Sequence, residues 1–218
     1  MELDLIQRFI VVFAGLFVAV EPFGVVPAFV SLTKQYTPEE MKKTSLRSSL
    51  FGAAVLVFFS LFGIWIFKFL QIDINAFKAA GGLLLLLTAL DMLRANEENS
   101  CRKCSDEELS EAKEKKDISL VPVAIPMLSG PGAITSVVVF STDHTQSHLV
   151  HFMILALAIS VIFVISYFVL RNSVYIKQLL GKSGITVFER IMGLLLAALS
   201  IQFILSGVLG VIKIHFSI

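Results

Sequence analysis

Hydrophobic residues in this chain come in long blocks rather than in alternating or amphipathic stripes. Six blocks reach about the 20 residues that a membrane crossing needs: residues 5–32, 46–70, 75–93, 120–140, 149–170 and 185–211. The pattern predicts an all-α membrane protein with six transmembrane helices. The first and last blocks exceed a minimal span, so they must tilt, bend or break. The longest polar segment, residues 95–118, is dense in charge and poor in large apolar residues. It reads as a solvated loop.

Two of the blocks are interrupted near their centres. Block one contains Glu21-Pro22-Phe23-Gly24-Val25-Val26-Pro27, and block four contains Ser129-Gly130-Pro131-Gly132-Ala133-Ile134-Thr135. Gly130 falls roughly 15 Å into its block at 1.5 Å per residue, about half the hydrocarbon depth. Pro131 lacks an N–H and disfavours the helical conformation at Gly130. A second helix can start at once, with Gly130 as N-cap and Pro131 at the first helical position. The free amides of Gly132, Ala133 and Ile134 would then point into the break, at the positive end of a short helix that suits a carboxylate. In block one, Pro22 and Pro27 are expected to free the carbonyls of Val18 and Phe23. Glu21 sits where it would cap the second half. Pro122 and Pro126 extend the same pattern upstream in block four. A carboxylate at mid-membrane costs about 2.5–3.5 kcal/mol even on a lenient insertion scale, so Glu21 should face protein or a wet cavity. There it would hold an ammonium, carry a proton or cap its own helix.

Blocks three and six repeat each other at an offset of 111: Ile74 matches Ile185, Phe77 matches Phe188 and Gly82 matches Gly193. Pro22 and Pro131 stand 109 apart. The chain is therefore read as one domain, 1–218, of two three-helix repeats, 1–94 and 119–218, joined by loop 95–118. An odd number of spans inverts the second copy. Inverted repeats with helices 1 and 4 interrupted at mid-membrane are a pattern of secondary transporters, which bind substrate between the two breaks.

Loops one, three and five carry thirteen Lys and Arg, against four for the termini and the other loops. That bias places loop 95–118 in the cytoplasm and both termini outside. The acidic start of block one does not resemble a signal peptide, so the first helix is read as retained. Hydrophobic residues make up 56% and charged residues 16%, with a net charge of +1. This composition speaks for the lipid bilayer as partner and against nucleic acid.

The remaining polar residues carry weaker signals. Asp91 and Arg94 have the spacing of a surface ion pair. Thr88, Ser136, Ser200 and Gln202 would line a cavity or bond between helices. Cys101 and Cys104 form one C-x-x-C without a second ligand pair, so no metal site is expected. His144, His148, His151 and His215 suit the outer interface.

At its two interruptions the chain resembles the MarC family, which includes SnatA-type transporters of small neutral amino acids. The first family motif, Asp-Pro-x-Gly-Asn-x-Pro, stands here as Glu21 to Pro27, with Glu21 replacing Asp and Val25 replacing Asn. The second stands as Pro122-Val123-Ala124-Ile125-Pro126 followed by Gly130-Pro131-Gly132-Ala133-Ile134. The resemblance implies an inner-membrane secondary transporter of alanine- or glycine-like solutes working by alternating access. Its substrate-binding residues would be Glu21, Pro22, Gly24, Pro27, Ser129, Gly130, Pro131, Gly132, Ala133, Ile134 and Thr135. No cofactor is expected; coupling to protons or sodium stays open. The alternatives are a channel or a non-transporting scaffold. An intramembrane hydrolase is more remote. The Gly181-Lys182-Ser183-Gly184 stretch matches G-x-S-G, but no histidine follows within a span to act as base.

Overall fold

A computed structural model describes residues 5–34, 36–94, 128–142 and 148–216. Among these residues every regular element is a helix. In chain order they are α1 (Leu5–Val20), α2 (Val26–Leu32), α3 (Pro38–Phe69), α4 (Ile74–Leu93), α5 (Pro131–Ser141), α6 (His148–Arg171) and α7 (Ser173–Phe216). The expectations for loop 95–118, Pro122, Pro126, Cys101, Cys104 and His144 lie outside the described residues, as do those for the side chains of His148 and His215.

Among the described residues four helices are long and apolar enough to cross a membrane: α3, α4, residues Leu149–Arg171 of α6, and residues Ser183–Lys213 of α7. Blocks one and four instead hold the shorter apolar helices α1 and α5. Large side chains such as Leu50, Trp65 and Phe69 stand more than half exposed on the outside. A lipid environment makes that exposure cheap.

Local chemistry sets the helix ends. At the start of α3, Thr37 and Glu40 form a capping box. The Thr37 amide donates to Glu40 Oε2 at 2.8 Å and the Glu40 amide donates to Thr37 Oγ1 at 3.3 Å. Gln71 stops α3 in the left-handed region at φ 56°. Asp73 then caps α4 by accepting the Asn75 amide at 2.6 Å. The long α7 breaks at Gly181, where φ is 62° and ψ is −178°.

The most extensive packing joins α4 to α7, which run antiparallel along small residues. A β-carbon built on Gly82 would stand 2.9 Å from the Ser200 carbonyl oxygen, and one on Gly207 would stand 2.6 Å from the Asn75 carbonyl oxygen. On Gly193 the corresponding neighbour is the Ala89 carbonyl oxygen at 3.2 Å. α3 packs on α6, with Gly52 facing the Phe163 ring. In bilayers, where burial from water does not drive helix association, such close approach and its dispersion energy hold helices together.

The short helix α5 lies at the centre of these layers. Its first turn packs on Leu85 through Gly132 and its second on Gly81 through Thr135, so it runs antiparallel to α4. Ser129, just before α5, reaches Gly52, and Val138 reaches Gly63, so it runs parallel to α3. Phe140 fills the space over Gly15 of α1. A second tether ties its far end, where His151 Nε2 of α6 lies 2.6 Å from the Phe140 carbonyl oxygen and donates to it.

Candidate functional site

The two interruptions face one cavity of about 210 Å³. At roughly 30 Å³ per water, it has room for several waters or one small solute. From the first interruption come Ala19, Glu21, Gly24 and Val25, and from the second Gly130, Pro131, Gly132 and Ala133. The third and sixth apolar blocks add Leu85, Thr88, Asp91 and Leu196.

The second interruption follows the sequence expectation closely. Gly130 is the N-cap of α5 in an extended conformation, with Pro131 at the start of the helix. One detail differs: the Ile134 amide does not point into the break, because it donates to the Gly130 carbonyl at 3.0 Å. This is the first bond of the new helix, and it leaves only the Gly132 and Ala133 amides without a carbonyl one turn back. Both residues line the cavity.

The first interruption departs further. Glu21 adopts φ 51° and ends α1, its amide donating to the Phe17 carbonyl at 3.1 Å. The physical reason is Pro22, which disfavours the right-handed helical region at the residue before it. A tight turn follows, in which the Gly24 amide donates to the Glu21 carbonyl at 3.0 Å. The carbonyl of Phe23 is not freed by Pro27, since the Val26 amide takes it at 3.1 Å. Nor does Glu21 cap the next helix, whose N-cap is Val25 without a side-chain bond. Val18, Ala19 and Val20 end α1 without successors to donate to them in helical register. The negative end of α1 and the positive end of α5 thus converge on the same space.

The other expected site residues are placed elsewhere. Pro22, Pro27, Ser129, Ile134 and Thr135 do not line the cavity. Ser129 is fully buried and its hydroxyl donates to the Gly52 carbonyl at 3.0 Å, locking the break to α3. Thr135 is buried beneath Gly81 and donates to the Pro131 carbonyl at 2.8 Å. These two serine and threonine residues position the site and do not touch its interior.

Asp91, whose spacing to Arg94 suggests a surface pair, lines the cavity with Thr88. The i,i+3 spacing of Leu85, Thr88 and Asp91, one face of α4, is the signal that could have found it. Gln202, the repeat counterpart of Asp91, is exposed. Ser183 of the G-x-S-G stretch is also exposed, two residues after Gly181, which has open space around it. Among the described residues no group of three or more His, Cys, Asp or Glu gathers as a metal site would require.

A family model described as MarC family integral membrane protein matches residues 6–212. The chain is 38% identical over 205 residues to the UPF0056 membrane protein MJ1677 of Methanocaldococcus jannaschii, covering 94% of this chain and 98% of that one. It is 34% identical to the UPF0056 membrane protein YvbG of Bacillus subtilis, covering 93% and 95% of the two chains. It is 36% identical to the UPF0056 membrane protein YhcE of Escherichia coli, covering 91% of each. No solved structure matches the chain.

Proposed function

Because the chain belongs to the MarC family of integral membrane proteins, we propose that it is a secondary transporter of small neutral amino acids, of alanine or glycine size, working by alternating access. The observation that carries this reading is the single cavity shared by both interruptions. There the amides of Gly132 and Ala133 receive the substrate carboxylate. The end of α1 and the carboxylate side of the cavity, which includes Glu21, receive its ammonium group.

The architecture behind the proposal is two inverted three-helix repeats, 1–94 and 119–218, within one membrane domain. The α4–α7 packing supports it. A shift of 111 carries Gly82 onto Gly193, Ala89 onto Ser200 and Leu93 onto Ile204. Gly82 packs on Ser200 and Ile204, while Gly193 packs on Ala89 and Leu93. The same contact therefore occurs twice with the partners exchanged, as a two-fold axis in the membrane plane would require. The excess of Lys and Arg in loops one, three and five favours the cytoplasm for loop 95–118 and an inner-membrane location with both termini outside.

Counterflow of labelled alanine or glycine into proteoliposomes tests the reading. Saturable exchange driven by unlabelled substrate inside is the expected result. Flux that rises linearly with concentration would mark a channel, and no flux of any amino acid would leave a scaffold.

A further inference from the structure

We infer that Asp91 holds the amino group of the substrate, with the Thr88 hydroxyl as a second acceptor; the inference rests on the transport reading above and deepens it. Leu85, Thr88 and Asp91 follow one another at intervals of three along α4, and all three line the cavity. Leu85 is buried at 1% exposure and forms the floor, while Asp91 is exposed and forms the rim. Thr88 spends its only proton on the Leu84 carbonyl at 3.1 Å, so toward the cavity it can only accept. An ionised carboxylate also only accepts. The α4 wall is therefore made of acceptors.

The second interruption supplies the complement. The amides at the start of α5 can only donate, and they carry the positive end of the helix. Among the described residues no Lys, Arg or His lines the cavity. A solute with acceptors at one end and a charged donor at the other matches both walls. That is the chemistry of an α-amino acid zwitterion. A carboxylate alone would meet Asp91 and Glu21 with like charge, and a simple amine would leave the α5 amides unused.

Asp91 and Glu21 are not equivalent in this arrangement. Glu21 is 8% exposed and its side chain folds back over its own turn, where a β-carbon on Gly24 would stand 3.3 Å from Oε2. It also interacts already within the protein. Asp91 stands at the exposed end of the cavity wall. Its carboxylate is the one presented at the exposed rim to an incoming solute, with Glu21 lining the same cavity deeper in the protein.

The experiment compares wild type, Asp91→Asn and Asp91→Glu in proteoliposome counterflow of labelled alanine. Propionate, which lacks the amine, and ethylamine, which lacks the carboxylate, serve as competitors. Asp91→Asn should raise the alanine KM about tenfold or more, a loss typical of a charged hydrogen bond. It should abolish competition by ethylamine, leave the propionate inhibition constant unchanged or lowered, and be partly rescued by Asp91→Glu. An unchanged alanine KM, or equal weakening of propionate and alanine, overturns this role while the transport reading stands. Absence of saturable alanine exchange in the wild type overturns both.

Discussion

Gly132 faces Leu85 so closely that a β-carbon on the glycine would stand 2.5 Å from Leu85 Cδ2. The contact joins the start of α5 to the floor of the cavity, and the atom it meets is the free end of a flexible side chain.

The substitution Gly132→Ala should therefore separate stability from transport. Leu85 can swing away, and alanine suits a helix better than glycine by about 0.5–1 kcal/mol, so the melting temperature should hold. The displaced methyl enters the cavity. Steric loss of one methyl-sized space is worth about 10- to 200-fold in discrimination. Alanine uptake should fall by at least about tenfold and glycine uptake by less. Equal loss for both substrates would argue against a size-limited site.

The α4–α7 glycines should behave oppositely, since their neighbours are backbone atoms that cannot step aside. Gly207→Ala meets the Asn75 carbonyl and the Ala79 amide nitrogen at 2.6 Å, and Gly82→Ala meets Ser200 and Ile204 backbone atoms at 2.9 Å. Overpacking of this kind costs about 1–3 kcal/mol. Thermal unfolding in detergent should rank Gly207→Ala as most damaging, then Gly82→Ala, then Gly193→Ala, whose nearest backbone neighbour lies at 3.2 Å.

Glu21 combines a left-handed backbone with a charge, and two variants separate them. At φ 51° a side chain is disfavoured by about 1–2 kcal/mol relative to glycine, so Glu21→Gly should be more stable than Glu21→Ala by about that much. Glu21→Gln keeps the shape and removes the charge. It should fold like wild type while alanine uptake drops; wild-type uptake would restrict Glu21 to its part in the turn.

Ser129 and Gly52 form a coupled pair. Ser129→Ala loses one hydrogen bond, worth about 0.5–1.5 kcal/mol. A β-carbon on Gly52 would stand 3.0 Å from Ser129 Oγ and would press on the Phe163 ring. The Ser129→Ala, Gly52→Ala double mutant should cost less than the sum of the singles, because the added β-carbon crowds the same hydroxyl that Ser129→Ala removes. Strict additivity in unfolding measurements would show that the two positions are not coupled.

Much of this arrangement is legible in the sequence. Apolar block lengths gave α3, α4, α6 and the membrane part of α7, and Gly130-Pro131 gave the start of α5 to the residue. The first interruption is less legible, because two prolines five residues apart admit more than one backbone path. Glu21 took the left-handed path, and the turn consumed the carbonyl of Phe23 that a simple helix break would have freed. Asp91 was misplaced for a different reason. Its i,i+3 spacing to Arg94 looks like a surface pair, and only tertiary packing decides whether that face of α4 meets solvent or the interruptions. Ser129 and Thr135 were grouped with the site by proximity in sequence. The bend before α5 aims Ser129 at Gly52, and the rotation of α5 turns Thr135 toward Gly81.

The brevity of α5 has an electrical consequence. Eleven residues rise roughly 16 Å, about half the hydrocarbon thickness. If water fills the cavity from the Asp91 rim, the membrane potential falls mainly across that remaining half. A neutral zwitterion moving through it does no net electrical work. Any cation moving with it would gain about 2.3 kcal/mol per 100 mV over a very short path. On the transport reading, a half-length helix concentrates the field along the proposed substrate path, and uptake measured at an imposed potential would report how many charges accompany each turnover.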